Sequence, residues 1–281
     1  MGASGMLGHV TYFYLRNTQQ YKMYNTVFRN KLTEDSITCN VRDLEKIGGI
    51  INKIKPDILV NCVGALVNES KKDAENTIFL NSLLPYFLKQ IFNENGGKLI
   101  QISTDCVFSG RKGNYREDDF KDADDVYGRS KALGEIVNDR DVTIRTSIIG
   151  PELKENGEGL FHWLMNQSGV ISGFSKVIWG GVTTYELAKS VQKVIDENLT
   201  GLFNVTNGVG ISKYELIKLI IKEFELDQLT VEKFEKYSVN KSLQKSERYS
   251  FNIPTYDKMI EEMHHFVKSN IQLYPHYFEK E

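Results

Sequence analysis

The run Ile58-Leu-Val-Asn-Cys-Val63-Gly64-Ala65 is apolar at nearly every position. A strand without polar alternation has to be covered on both faces, which places it in the interior of a parallel sheet. Leu44, Ile47, Ile50, Ile51 and Ile54 form a helical face just before it. After it, a helical pattern runs from Ala74 to Phe92, with Asn81 in its middle. Two more strand patterns follow, at Lys98-Leu-Ile-Gln-Ile102 and Val142-Thr-Ile-Arg-Thr146. Strands alternating with helices predict an α/β, doubly wound parallel sheet of the Rossmann type. With 281 residues, the chain has room for that sheet and a smaller, mixed α/β region, without disulfides or a metal. Gly150-Pro151 marks the expected boundary. Residues 1–150 form the first unit, joined by elements from about 180–205, and 151–281 form the second, with the two interleaved.

The chain opens with Gly2-Ala-Ser4-Gly5-Met6-Leu7-Gly8, followed by Val10-Thr-Tyr-Phe-Tyr-Leu15, which reads as the buried side of a helix. Glycines at this spacing let a backbone approach a pyrophosphate, and the helix start offers free N–H groups and partial positive charge. A dinucleotide is the expected ligand. One part of that unit is missing, because a strand should precede the glycines and only Met1 does. In a doubly wound fold that strand is central, so lowered stability is expected for the chain as written.

Tyr24-Asn-Thr-Val-Phe28 is the expected second strand and ends at Arg29. A cation there suits the 2′-phosphate of NADP, so NADPH is the expected cofactor. Glu34 and Asp35 in the following loop keep NAD open. Cys62, Val63 and Gly64 end their strand where open α/β sheets bind ligands. Asn61 reads equally well as a satisfied buried amide or as a functional group.

The chemistry is expected at Tyr127-Gly-Arg-Ser-Lys131. A tyrosine and a lysine four apart share one helix face. A phenol with an ordinary pKa of about 10 needs a nearby cation to exchange protons near neutrality. The same spacing recurs at Tyr185/Lys189, Tyr214/Lys218 and Tyr237/Lys241. Only Tyr127 follows a strand that runs into Ser103-Thr104-Asp105, where Ser103 is also a candidate to meet the cofactor. The polar, acidic stretch from Asn114 to Asp125 lies between and reads as a loop able to bend over the site.

The formal charge of −2 sets up no general field for nucleic acid or an anionic membrane. Cys39, Cys62 and Cys106, with no C-x-x-C pair, read as reduced thiols in the core. The five histidines have no metal-ligand spacing, and each is expected to be exposed or at the edge of the core. With no apolar run of membrane length and no leader-like segment, a cytoplasmic protein is expected. In the second half, helices are expected around Leu160–Leu164, over Thr184–Ile195, and from a Ser212/Glu215 capping box to about Phe224. A strand is expected at Leu202–Val205. The tract Lys233–Arg248 is polar and basic, a solvated surface by default. Lys241, Lys245 and Arg248 are its candidates to face substrate phosphates.

Taken in order, these motifs resemble the extended short-chain dehydrogenase/reductases. Ser-Thr-Asp-Cys-Val-Phe-Ser-Gly (103–110) and Tyr-Gly-Arg-Ser-Lys-Ala-Leu-Gly-Glu (127–135) resemble more narrowly the dTDP-4-dehydrorhamnose reductase group. The resemblance implies catalytic roles for Thr104, Tyr127 and Lys131, with Asp105 beside them. It implies cofactor contacts at Gly2, Gly5 and Gly8, and a nucleotide-sugar substrate met by Thr104, Asp105, Lys241 and Arg248. It also admits a homodimer. Cys106, Ile148-Ile149 and Val182-Thr183-Thr184 depart from the group's usual residues near the sugar, so the sugar or its carrier is expected to differ, a UDP-linked N-acetyl sugar being one option. The implied reaction is NADPH-dependent reduction of a 4-keto-6-deoxy sugar. Epimerases and dehydratases of the same family use the same Tyr/Lys pair, and the regulatory β subunit of methionine adenosyltransferase resembles the family too.

Overall fold

In the computed structural model, which describes residues 1–278, the glycine run leads directly into a helix, α1 (Met6–Asn17). Two short parallel strands follow, β1 (Thr26–Val27) and β2 (Ile37–Thr38). The next helix, α2 (Leu44–Ile54), is capped by the Asp43 carboxylate on the Lys46 N–H, and Lys55 closes it in the left-handed region. After β3 (Ile58–Asn61) come α3 (Val67–Lys72), α4 (Ala74–Ile78) and α5 (Leu84–Glu94). The single helix expected across Ala74–Phe92 is thus interrupted by a π-helical turn, Phe79–Leu83, which carries Asn81. Then come β4 (Lys98–Thr104), α6 (Val126–Leu133) and β5 (Val142–Thr146).

Chain order continues with β6 (Ile148–Ile149), α7 (Leu160–Met165), β7 (Gly169–Phe174), β8 (Val177–Trp179), β9 (Val182–Thr183), α8 (Thr184–Asp196) and β10 (Gly201–Asn204). The last elements are β11 (Ile211–Ser212), α9 (Lys213–Glu223), β12 (Leu229–Phe234), β13 (Val239–Asn240), α10 (Tyr256–Ser269) and α11 (Pro275–Phe278). Ser212 Oγ caps α9 on the Glu215 N–H at 3.1 Å. The main sheet is parallel in the order β10-β5-β4-β3. The second half builds small sheets beside it: β7 with β12, β6 with β9, and β8 between β11 and β13. The fold is an α/β parallel sheet of Rossmann type with mixed sheet elements in the C-terminal region.

The sheet is split between β1 and β3. Among the described residues no ladder joins β1 to β3, and only the first residues of the chain bridge them. The Met1 nitrogen donates to Val60 O at 2.8 Å, Cys62 N–H donates to Met1 O at 3.1 Å, and Ala3 N–H donates to Thr26 O at 3.0 Å. Two expectations change for this reason. Ile58, Leu59 and Val60 are only half-buried rather than covered on both sides, and the strand expected over Tyr24–Phe28 is ladder-bonded only at Thr26–Val27.

Two apolar cores lie on opposite faces of the sheet. One gathers Leu7, Val10 and Leu15 of α1 with α8, α9 and α10, and the other holds Ile47, Ile51, Leu84, Leu88 and Phe92. His9, expected at a surface or core edge, is fully buried in the first core. Its ring joins Gly5 O and the Tyr274 hydroxyl, both at 2.8 Å, which satisfies both nitrogens.

Candidate active site

β4 delivers Thr104 to the carboxyl edge of the sheet, beside Thr146 of β5. Successive side chains on a strand face opposite ways, so Ser103 and Thr104 separate. Ser103 was expected to meet the cofactor. Its hydroxyl turns to the other face instead and donates to Glu135 Oε1 at 2.7 Å. The Thr104 hydroxyl accepts from Cys106 N–H and donates to Asp105 Oδ1, both at 3.1 Å. Asp105 is buried, and desolvation pushes its carboxyl above the usual carboxylate range, against the pull of Lys241 and Thr104.

Tyr127 and Lys131 lie on α6, which starts where the Asp125 carboxylate caps Gly128 N–H at 2.7 Å. Tyr127 is half-buried. Burial raises its phenol pKa, Cys106 and Asp105 add to the rise, and a hydrogen bond with Thr104 opposes it. The Lys131 ammonium donates to Ile102 O at 2.6 Å rather than facing the phenol. Burial lowers its pKa to about 8 against the raising effect of Glu135 and Cys62. A Cβ added at Gly64 would meet Asn81 Oδ1 at 3.0 Å and Lys131 Nζ at 3.9 Å, so the end of β3 abuts this lysine.

Asn81 is the link the sequence only hinted at. It accepts from Ala65 N–H at 2.9 Å, donates to Ala65 O at 3.2 Å and donates to Ser130 Oγ at 3.1 Å. It therefore clamps the loop after β3 to the helix carrying Tyr127 and Lys131. Beneath the site, Glu135 accepts two bonds from Arg145, both at 2.8 Å, and one from Lys121 at 3.0 Å. Burial alone would raise the Glu135 pKa, but these cations and Ser103 hold it low. Glu135 and Arg145 were not singled out in the sequence. A buried Arg in a strand, ten residues after a Glu, was the available sign. Asn61 proves a satisfied amide, donating to Gln101 Oε1 at 2.8 Å and accepting from Val63 N–H at 3.1 Å.

The other expected site residues divide by position. Cys106 is not a core thiol. It lies beside Tyr127 and Lys241, and burial pushes its thiol up to about 12. Lys241 reaches the same place, where Cys106 and Asp105 outweigh burial and raise its pKa. Arg248 does not join them. Its guanidinium lies 5.3 Å from the centroid of the Phe203 ring and donates to Thr200 O at 3.4 Å, at the amino end of β10 and so at the opposite edge of the sheet. Leu7 is in the core, and Met6 reaches toward Gly159. Arg29 is exposed two residues past β1, 5.0 Å over the Phe28 ring. The loop expected to bend over the site is pinned. Tyr115 N–H donates to Ser242 O at 2.8 Å, its ring stacks on Phe108 at 4.1 Å, and Ser109 N–H donates to Asp122 at 2.8 Å.

The glycine run fits a dinucleotide phosphate. Gly2 has φ +75°, and a Cβ at Gly8 would be driven into the Gly2 carbonyl, so only glycine allows the loop to fold this tightly on α1. Gly5, the N-cap of α1, offers no capping side chain and no acidic residue occupies the first turn. Unfilled donors at a helix N-terminus suit an anion.

A family model described as the RmlD substrate-binding domain matches residues 1–268. The chain belongs to this family. The chain is 28% identical over 194 residues to the spore coat polysaccharide biosynthesis protein SpsK of Bacillus subtilis, covering 67% of this chain and 68% of that one. It is 31% identical over 137 residues to the methionine adenosyltransferase 2 subunit beta of Danio rerio, covering 48% of this chain and 41% of that one. Its fold matches the dTDP-4-dehydrorhamnose reductase of Bacillus anthracis solved with NADP, with a TM-score of 0.78, 21% identity, and coverage of 95% and 97%. This RmlD-family chain is thus dTDP-4-dehydrorhamnose reductase-like in fold. Among the described residues, no helix is long and apolar enough to cross a membrane.

Proposed function

We propose that the protein uses NADPH to reduce the 4-keto group of a nucleotide-linked 4-keto-6-deoxy sugar. The observation that carries this reading is the convergence of Thr104, Tyr127 and Lys131 at one sheet edge, next to Gly64. The bound dinucleotide would supply the hydride. Its pyrophosphate would lie on the first turn of α1, and Arg29 beyond β1 would meet a 2′-phosphate. That position of Arg29 supports NADPH over NADH.

Tyr127 gives its proton to the oxygen that becomes an alkoxide as the ketone is reduced. Its raised pKa keeps the phenol protonated until then. Thr104 has one hydroxyl proton, now donated to Asp105, and swings it onto the same oxygen. Lys131, now donating to Ile102 O, would hold the nicotinamide ribose, and its charge would ease proton loss from Tyr127. Lys241, already beside Asp105 and Cys106, would be the cation that meets a diphosphate.

The test is NADPH oxidation by the purified protein with dTDP-linked and UDP-linked 4-keto-6-deoxy sugars, supplied separately. Turnover on one of them, absent in Tyr127→Phe, supports the reductase. Product formation without net NADPH loss would instead indicate an epimerase or dehydratase. The likeness to a methionine adenosyltransferase subunit favours one second reading, a nucleotide-binding regulatory subunit. A stable complex with a partner enzyme, together with no turnover on any keto-sugar, would replace the reductase by that reading.

A further inference from the structure

His9 and Tyr274 are both fully buried, and the proposed mechanism uses neither. They stand 265 positions apart, His9 on α1 and Tyr274 between α10 and α11, and their side chains meet at 2.8 Å. Two apolar rings of the same shape would fill the core as well, with no polar pair to satisfy. Packing therefore leaves this bond unexplained. Its direction follows from the other ring nitrogen. Nδ1 lies 2.8 Å from Gly5 O, and a carbonyl only accepts, so Nδ1 carries the proton and Nε2 accepts from the Tyr274 hydroxyl.

Gly5 is the N-cap of α1 and has no side chain to hold the turn. Its carbonyl oxygen instead takes two bonds, one from the His9 ring and one from His9 N–H at 3.2 Å. The same planar trans peptide carries the Met6 N–H on its opposite side. Met6 is the first residue of α1, so that N–H has no carbonyl to bond within the helix and points out of its start. A glycine leaves the tilt of this peptide free, and an oxygen held by the His9 ring removes that freedom. We infer that His9 and Tyr274 are positioning residues, which aim the Met6 N–H at the pyrophosphate of the dinucleotide. This role rests on the proposed cofactor site. It adds a relay, Tyr274 to His9 to Gly5 to Met6, that runs from the second half of the chain into that site.

Tyr277 supplies the contrast. It belongs to α11, is buried, and its ring centroid lies 6.1 Å from that of Tyr274. Its hydroxyl accepts from Glu152 N–H at 3.1 Å and meets His162 Nδ1 at 2.9 Å. It thus fastens the same stretch of chain to α7 and the loop before it, and not to α1. Each tyrosine has one buried hydroxyl to lose, but only that of Tyr274 leads to Gly5.

The test compares the unaltered full chain with Tyr274→Phe and Tyr277→Phe by calorimetric titration, at a temperature where all three are folded. The ligands are NADPH, 2′-phospho-ADP-ribose and 2′-AMP. Tyr274→Phe should weaken NADPH and 2′-phospho-ADP-ribose about 3–10-fold, the worth of one hydrogen bond. It should leave 2′-AMP, which has no pyrophosphate, unchanged, and Tyr277→Phe should change none of the three. Equal losses in both variants, or a Tyr274→Phe loss that extends to 2′-AMP, would mean general loosening and overturn the positioning role. Unaltered protein that binds neither NADPH nor 2′-phospho-ADP-ribose would sink the cofactor reading and this role with it. Binding that Tyr274→Phe leaves intact would sink this role alone. A second measurement needs no substitution and decides the matter if Tyr274→Phe does not fold. Nitrogen chemical shifts of the His9 ring in the unaltered protein should place its proton on Nδ1, and a proton on Nε2 alone would overturn the role.

Discussion

Tyr127→Phe removes one hydroxyl from a helix whose backbone and cap are otherwise untouched. Turnover should fall about 10²–10⁴-fold, while NADPH affinity changes little. On the proposed mechanism, Lys131 would carry the pH dependence. With its pKa lowered to about 8, it is charged below that pH and neutral above. The kcat/KM profile should therefore fall as pH rises through about 8, and Lys131→Met should lose that limb together with most of the rate. His9 acts on stability instead. Its folded pKa is about 4 against an ordinary 6.5, so the unfolded chain takes up the proton first as pH falls. Stability should be lost between pH 6.5 and 4, by about 3 kcal/mol in all. Urea midpoints at pH 7 and pH 4.5, compared with His9→Gln, check this. The variant should show a smaller drop.

At the scale of elements, Asn81 and the Glu135–Arg145 pair do different work. Asn81 ties the loop after β3 to α6 from within a π-helical turn. Asn81→Leu leaves the Ala65 amide and carbonyl without their partner, at about 1–3 kcal/mol for each buried group. It also releases the helix bearing Tyr127, so kcat should fall along with stability. Arg145→Met leaves Glu135 buried with only Lys121 as a cation. A cost of about 3–5 kcal/mol is expected, read as a lower denaturant midpoint. Legibility also varied by element. The Ser212/Glu215 cap and the α2 face were plain, because capping and 3.6-residue periodicity are local. The π turn was not, since it depends on how Asn81 packs against Ala65 and Ser130.

For the whole molecule, the split sheet sets the order of opening. β1 and β2 join the rest through bonds of Met1 and Ala3, whereas β4 is bonded on both sides. Amides of Ile37 and Cys39 should exchange faster than those of Ile100 and Ile102, by native-state hydrogen exchange. Equal protection would mean that the two sheets open as one unit.

The sequence by itself determined the parallel α/β layering, the glycine loop leading into α1, and the placing of Tyr127 and Lys131 on one helix face. Each depends on neighbours within a few residues or on an apolar run, and such patterns are written along the chain. Only the tertiary structure decided that Lys241 reaches Asp105 while Arg248 lies at the far edge of the sheet. The two are seven positions apart in one irregular, basic tract, where no periodicity assigns a direction. It also turned Ser103 onto Glu135, brought Cys106 to the phenol and left β3 half-covered. Those outcomes depend on which partner each strand face and edge meets, and residues distant in the chain supply those partners.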